Sequence, residues 1–433
     1  MSDSQKPALP GHRTERGLVP SVDDPDSLQL GLSTRGRELR ARLVDFVNDR
    51  VFPAEHEYDH YRAERGPQDH SVPPVIEELK AEAKRRGLWN LFLPAESGVS
   101  QLDYASLAEV TGWSLHLAPE AINGQAPDTG NMELLHLFGT EDQKARWLRP
   151  LLDGTIRSAF AMTEIAVASS DATNIETTIR RDGQHYVING RKWWTSGVAD
   201  PRCELLVVMG KTDPDAARHR QQSMILVPLA TPGVTVVRDV PVFGHYDQHG
   251  HCEVLLEDVR VPVDHLLGEE GNGFAMAQAR LGPGRIHHCM RALGAAERAL
   301  SLLVDRAQSR VAFGKPLMEQ GGVQFDVAES RLAIDQARLL CQHAARTIDQ
   351  EGNRAAAPLV SMAKVAVPRA ALQVIDRAIQ VHGGAGVSDD VPLAQMWGWH
   401  RAMRIFDGPD EVHLRAIAMA ELSRESEIRP GAT

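Results

Sequence analysis

From Ser33 onward apolar side chains recur every fourth position, at Leu39, Leu43, Val47 and Val51. That spacing puts them on one face of a helix, which Pro53 is expected to end. Runs of the same period at about 75–87, 103–118, 130–139 and 141–151 predict a helical domain over residues 31–155. Ahead of it, residues 1–30 are rich in Pro, Gly, Ser, Asp and Arg and read as a flexible tail. The texture changes over residues 156–270, where short runs of Val, Ile, Trp and Met alternate with turn residues. They predict strands at 184–189, 191–196, 204–210, 223–229, 234–242 and 252–260. Asn189-Gly190, between Tyr186-Val187-Ile188 and Lys192-Trp193-Trp194, predicts a tight hairpin, because a type I′ turn needs positive φ at both central residues. Past Gly271-Asn272-Gly273 the helical period returns to near residue 426, with Phe325, Ala328, Leu332 and Leu339 marking one apolar face. The order is helices, a β module, then helices over 271–433. No fixed period repeats, which excludes solenoids and propellers.

Composition narrows the function classes. Lys+Arg 47 against Asp+Glu 58 gives a net charge of −11, and the charges are dispersed, so electrostatic capture of nucleic acid is not expected. Aromatics at 5% argue against base-stacking platforms. Cys203, Cys252, Cys289 and Cys341 are far apart and read as free thiols of a reducing compartment. The start, Met-Ser-Asp-Ser-Gln-Lys-Pro, has no apolar leader, and no uncharged apolar run of about 18 residues exists to span a bilayer. A cytoplasmic protein without membrane attachment is the expectation.

Gly210-Lys211-Thr212 resembles the end of a phosphate loop, but Leu205 stands where its first glycine belongs. Gly383-Gly384-Ala385-Gly386 lies in a helical stretch rather than after a strand, so a Rossmann site is unsupported. His245, His249, His251 and Cys252 are metal-binding types, yet their spacing suits a polar loop between strands as well, and no metal is expected. His287-His288-Cys289 reads as helix surface and core, since neighbours on a helix diverge by about 100°. The segment 159–171 is harder to explain as packing. It ends a strand-like run in Thr163, Glu164, Ser169, Ser170 and Asp171, whose hydroxyls and turn amides suit a flat heterocycle with a phosphorylated tail. Trp193 and Trp194 stand on opposite faces of one strand, so one indole is free to stack on a ring.

Seven blocks in order over residues 160–390 resemble the acyl-CoA dehydrogenase family. They are Ala161-Met162-Thr163-Glu164 with Ala168-Ser169-Ser170-Asp171, the Asn189 to Ser196 run, Asp258-Val259-Arg260-Val261-Pro262, the Leu267 to Phe274 run, Gly284-Arg285-Ile286, the Arg310 to Pro316 run, and the Gln380 to Gly386 run. The resemblance implies a helical domain, a β-barrel-like domain and a C-terminal four-helix bundle. It implies FAD held between the β domain and the bundle, reaching across the interface of a homodimer or homotetramer. Met162, Thr163 and Ser169 would then lie along flavin and pantetheine, and Trp194, Thr195 and Ser196 would cover the flavin face opposite the substrate. Arg310, Phe313 and Gln320 would come from a neighbouring subunit, and Gln380, Gly383 and Gly384 would approach FAD across the same interface. Ala385 and Gly321 depart from the family's usual Asn and Gln and remove possible hydrogen bonds to FAD.

Arg404-Ile405-Phe406-Asp407-Gly408-Pro409-Asp410-Glu411-Val412-His413 resembles the family segment that carries the general base, in the branch with Asp at that position. Asp407 would be the base. Its pKa would be raised by desolvation so that it can take the α-proton of an acyl thioester. Gly408 and Arg285 would lie near the substrate, and Pro409, Asp410 and Glu411 near the cofactor. Asp is one methylene short of the family's usual Glu, about 1.5 Å of reach. Electrons would leave to an electron-transfer flavoprotein. A flavin monooxygenase of the same fold, or an acyl-CoA-binding member that has lost catalysis, are the other functions this resemblance allows.

Overall fold

Ser33 starts the described fold by accepting the Gly36 N–H in its own side chain, the N-cap that lets the following apolar face run helically. The computed structural model describes Val19 and residues 31–428. The expected tail, residues 1–30, lies outside them except for Val19, which is buried and donates its N–H to Asn48 Oδ1 at 3.2 Å. The N-terminal domain comprises α1 (Thr34–Phe46), α2 (Phe52–Arg65), α3 (Pro74–Arg85), α4 (Pro94–Ser97), α5 (Gln101–Thr111), α6 (Ala118–Ala121), α7 (Asp128–Phe138), α8 (Glu141–Gln143) and α9 (Arg149–Asp153). The helix does not end at Pro53 as expected. A π turn, Val47–Val51, joins α1 to α2, and Pro53 falls in the first turn of α2, where a missing N–H is tolerated.

The middle domain is one sheet of β1 (Arg157–Ala161), β2 (Thr178–Asp182), β3 (His185–Ser196), β4 (Cys203–Lys211), β5 (Gln222–Pro228), β6 (Val234–Asp239), β7 (His251–Pro262) and β8 (Leu266–Leu267). Its order is β6-β7-β3-β2-β4-β5-β8, with β1 parallel to β4. Strand β4 is buried on both faces. Leu205, Val207 and Met209 join the helical core, while Leu206 and Val208 join the core of the sheet.

The expected Asn189-Gly190 hairpin is not there. The chain runs straight through as β3, and the reversal lies at Gly183 (φ 61°), with Asp182 paired to His185. Asn189 instead marks a break in the pairing of β3 with β7, and its side chain exchanges hydrogen bonds with Asp258. Gly190 is required for a different reason: a Cβ there would sit 2.2 Å from Thr177 Oγ1.

The C-terminal domain holds α10 (Gly273–Ser309), the short hairpin β9 (Val311–Ala312) and β10 (Lys315–Pro316), then α11 (Gly321–Glu351), α12 (Asn353–His382), α13 (Leu393–Met403) and α14 (Asp410–Ile428). Helices α10 and α5 touch backbone to backbone, since a Cβ on Gly294 would lie 1.9 Å from Glu109 O. The predicted apolar stripe of α11 faces outward: Phe325, Leu332 and Leu339 are exposed. With sparse charges allowed, one stretch among the described residues does reach membrane length. Asn353–Val387 is long and apolar enough, but 56% of its most apolar window is buried in this fold, as in the inner helix of a bundle.

Candidate active site between the sheet and the C-terminal helices

On the sheet side, β1 hands over to a loop pinned by a buried ion pair. Lys192 Nζ lies 2.8 Å from Glu164 Oε1 and also donates to the carbonyls of Met162 and Met209. Glu164 in turn accepts from the N–H groups of Glu176 and Thr177 and from the Thr177 hydroxyl. Burial pulls the Lys192 ammonium down to about 8, against the pull of Glu164. Thr163 O takes the Trp193 N–H at 3.0 Å, and Ser169 Oγ takes the Glu164 N–H at 2.8 Å, so Met162, Thr163 and Ser169 are fixed beside β3. Thr195 is fully buried, and the pairing break between Lys192 and Thr195 brings Trp194 to φ 51° with its indole exposed.

Opposite stands the loop between α13 and α14. Asp407 has φ 55°, a conformation Asp tolerates better than most residues. Lys364 Nζ holds the carbonyls of Met403 (2.5 Å) and Phe406 (2.9 Å), Arg285 Nε holds that of Asp407 (2.9 Å), and Arg369 and Arg404 grip the buried Asp410 carboxylate. Asp410 is therefore an anchor of this loop. Gly408 (φ 101°) is packed against His413, while Pro409 is half-buried and Glu411 exposed.

The Asp407 carboxyl does not have the raised pKa expected of a dry base. Burial does push it up, but His288, Arg280, Lys364 and Arg285 pull harder and leave it below the ordinary carboxylate value. His288 Nε2 is 3.6 Å from Asp407 Oδ2, and burial brings its own pKa down to about 4, so at neutral pH the three fixed cations carry the effect. The run 287–289 is thus not helix surface: His287 and Cys289 are buried, and His288 faces the site. Its signal in the sequence is its place one turn beyond Arg285 on the same helix. Nearby on α7, Glu133 is pushed up to about 8 by burial, opposed only by Arg280, and is neutral at pH 7.

A line of rings joins the two sides. Centroids step from Trp194 to His251 (5.9 Å), Trp399 (5.7 Å), Phe406 (5.7 Å) and His288 (5.5 Å), which meets Asp407. Ser196 Oγ and His251 Nδ1 are 2.7 Å apart, and His251 Nε2 is 2.7 Å from Asp247 Oδ2. Donor atoms of Asp247, His249 and His251 all lie within 4.8 Å of one another, but both His251 nitrogens already serve Ser196 and Asp247. His245 and Cys252 stand outside that group. The remaining residues lie elsewhere on the surface. Arg310 precedes the β9–β10 hairpin, Phe313 lies at its tip and Gln320 just beyond it, while Gln380 is in the last turn of α12 and Gly383 and Gly384 follow it. Among the described residues no hydrogen bond or ion pair joins them to the Asp407 loop. Lys192, His288, Arg280, Lys364 and His251 were absent from the sequence-derived site, and Glu164 was named there only for its place in the turn, not as the partner of Lys192.

An ionised carboxylate on the bundle side and an exposed indole on the sheet side, joined by the ring line across the seam, mark a three-domain helical–β–helical architecture. Models of the acyl-CoA dehydrogenase N-terminal, middle and C-terminal domains match residues 33–155, 159–259 and 271–422 in that order. The chain belongs to the acyl-CoA dehydrogenase family, FAD-dependent oxidoreductases acting on acyl-CoA. It is 70% identical over 398 residues to probable acyl-CoA dehydrogenase FadE2 of Mycobacterium tuberculosis (strain ATCC 25618 / H37Rv), covering 92% of this chain and 98% of that protein. It is 50% identical to acyl-CoA dehydrogenase family member 11 of Homo sapiens over 95% of its length, but spans only 53% of that longer relative. Butyryl-CoA dehydrogenase of Megasphaera elsdenii superposes with a TM-score of 0.76 at 27% identity, over 90% of this chain and 99% of that one.

Proposed function

We infer that this chain desaturates an acyl-CoA to the 2-enoyl-CoA, with Asp407 as the base that takes the α-proton. The observation that carries the reading is Asp407 itself: a half-buried carboxylate, ionised at neutral pH, facing the site of Trp194 and Ser196 across the ring line. Its backbone N–H is suited to polarise the thioester carbonyl. Arg285 braces the loop that carries it, and the fixed cations keep the carboxylate deprotonated until substrate expels water and strengthens it as a base.

FAD, when bound, would supply the acceptor for the β-hydride, with the electrons leaving to an electron-transfer flavoprotein. The residues fit such a group. Trp194 offers an exposed indole, the Trp193 indole N–H and Thr195 hydroxyl are buried without partners, and Gly383 and Gly384 have nothing within 4 Å of a would-be Cβ. Phe313 is 99% exposed at a hairpin tip with φ 54°, which suits a side chain that reaches a second subunit, and the outward stripe of α11 suits a homodimer or homotetramer. We place the enzyme in the cytoplasm, without membrane or nucleic-acid partners.

The test is anaerobic mixing of the yellow holoenzyme with a panel of acyl-CoAs of varied length and branching. Wild type is expected to bleach, and Asp407→Asn to keep its FAD and lose bleaching by at least 10³-fold, as removal of a positioned base does. Bleaching by Asp407→Asn at the wild-type rate overturns the assignment. Wild type that needs another reductant before it bleaches is a monooxygenase instead.

A further inference from the structure

Half-buried Ser196 and the buried His251 and Asp247 form a relay that the proton abstraction by Asp407 does not use. His251 begins β7, and each of its ring nitrogens has one protein partner: Nδ1 meets Ser196 Oγ and Nε2 meets Asp247 Oδ2, both at 2.7 Å. The ring is clamped between Trp194 of β3 and Trp399 of α13. Its backbone N–H donates to Asp239 Oδ1 of β6, which fixes its height on the strand. The charged and titratable groups around it are Asp247 and His249 from the preceding loop and Asp239 from β6, with His70 paired to Asp239 and His116 3.9 Å from Asp247.

Hydrogen-bond bookkeeping then restricts Ser196. A carboxylate only accepts, so Nε2 carries a proton in every state of the ring. Neutral His251 therefore presents a lone pair at Nδ1, and the single Ser196 proton is spent on it. Protonated His251 presents N–H at Nδ1, Ser196 Oγ accepts, and its O–H turns to whatever lies on its other side. We propose that His251, oriented by Asp247, is a positioning residue that sets whether the Ser196 hydroxyl donates to or accepts from the FAD ring. The inference rests on the reading above that Ser196 covers the flavin face. A hydroxyl donating to oxidised flavin and one accepting from it stabilise different redox states, so His251 acts on the flavin potential through Ser196.

The experiment measures the midpoint potential of the FAD holoenzyme at one pH in wild type, Ser196→Ala, His251→Gln and the double variant. The offset produced by Ser196→Ala is expected to differ between the wild-type and His251→Gln backgrounds by about tenfold in the redox equilibrium, about 30 mV for a two-electron couple. Equal offsets in the two backgrounds, with FAD bound in all four proteins, overturn the proposal, and Asp247→Asn, which changes the partner of the same ring, gives the second background if His251→Gln fails to fold. Wild type that binds no FAD overturns the functional reading instead, so the two failures are distinct.

Discussion

At the residue scale, Asp407 shows how far local sequence reaches. Its position was legible from the ten residues around it, but its basicity was not, because Arg280 and Arg285 come from α10 and Lys364 from α12. Desolvation alone argues for a raised pKa; His288 and the three fixed cations together reverse the sign. Arg285→Gln removes one of those charges while leaving an N–H able to reach the Asp407 carbonyl. The acid limb of the bleaching rate is expected to move to higher pH in this variant, and a pH profile with an unmoved limb would show that Arg285 does not act on Asp407. Lys192 makes a second case. It lies inside a quoted motif, but nothing in the spacing said that it meets Glu164, 28 positions earlier, in the interior. Lys192→Met leaves Glu164 buried without its cation, which costs about 3–5 kcal/mol. Denaturant titration is expected to show that loss together with weakened FAD retention, since Met162 and Thr163 hang on the same clamp; a loss under 1 kcal/mol would reject it.

At the scale of elements, helices and strands were legible wherever one face is buried and the period survives. Expected strands at 204–210, 223–229 and 252–260 match β4, β5 and β7 to within two residues. The failures have physical causes. Asn-Gly is a turn signal only if the chain must reverse, and β3 is held straight by antiparallel partners on both sides, β2 and β7. Pro53 is a stop signal only if its missing N–H is needed, and the π turn before it relieves that need. The α11 stripe was legible as apolar, but period alone does not say whether such a stripe meets its own chain or another. Gly190→Ala tests the β3 account. A turn glycine with positive φ would be strained by the change, whereas here φ is ordinary and the methyl collides with Thr177 Oγ1. We expect a loss of about 1–3 kcal/mol from overpacking. The loss should be smaller when Gly190→Ala is made in a Thr177→Ala background, which lacks the hydroxyl in the way and already bears the loss of its bond to Glu164. An equal loss in both backgrounds would mean that the glycine is needed for its backbone.

At the scale of the whole molecule, buried histidines set the pH response. In His249, His288, His400 and His413 burial is the leading cause of a pKa lowered from 6.5 to about 4. Unfolded chain takes up these protons below pH 6.5 while the fold refuses them until about pH 4, so each ring withdraws stability as pH falls through that window. The span of 2.5 units is worth up to about 3 kcal/mol per ring. Glu133 works the other way. Its folded pKa of about 8 lies above its ordinary 4.5, so its contribution is present below 4.5 and is lost as pH rises to 8. Between pH 4.5 and 6.5 four groups oppose one, and stability rises with pH; from 6.5 to 8 only Glu133 of these five still titrates, and stability drifts down. A thermal midpoint that peaks near pH 6.5 and falls steeply toward pH 4.5 is the expected outcome, read by circular dichroism across that range. His400→Gln removes one of these rings at a site remote in sequence from Asp247 and is expected to make the acid slope shallower. A thermal midpoint that stays level from pH 6.5 down to 4.5 would mean that these rings take up protons in the folded state and that the interior around Asp407 is wetter than its packing indicates.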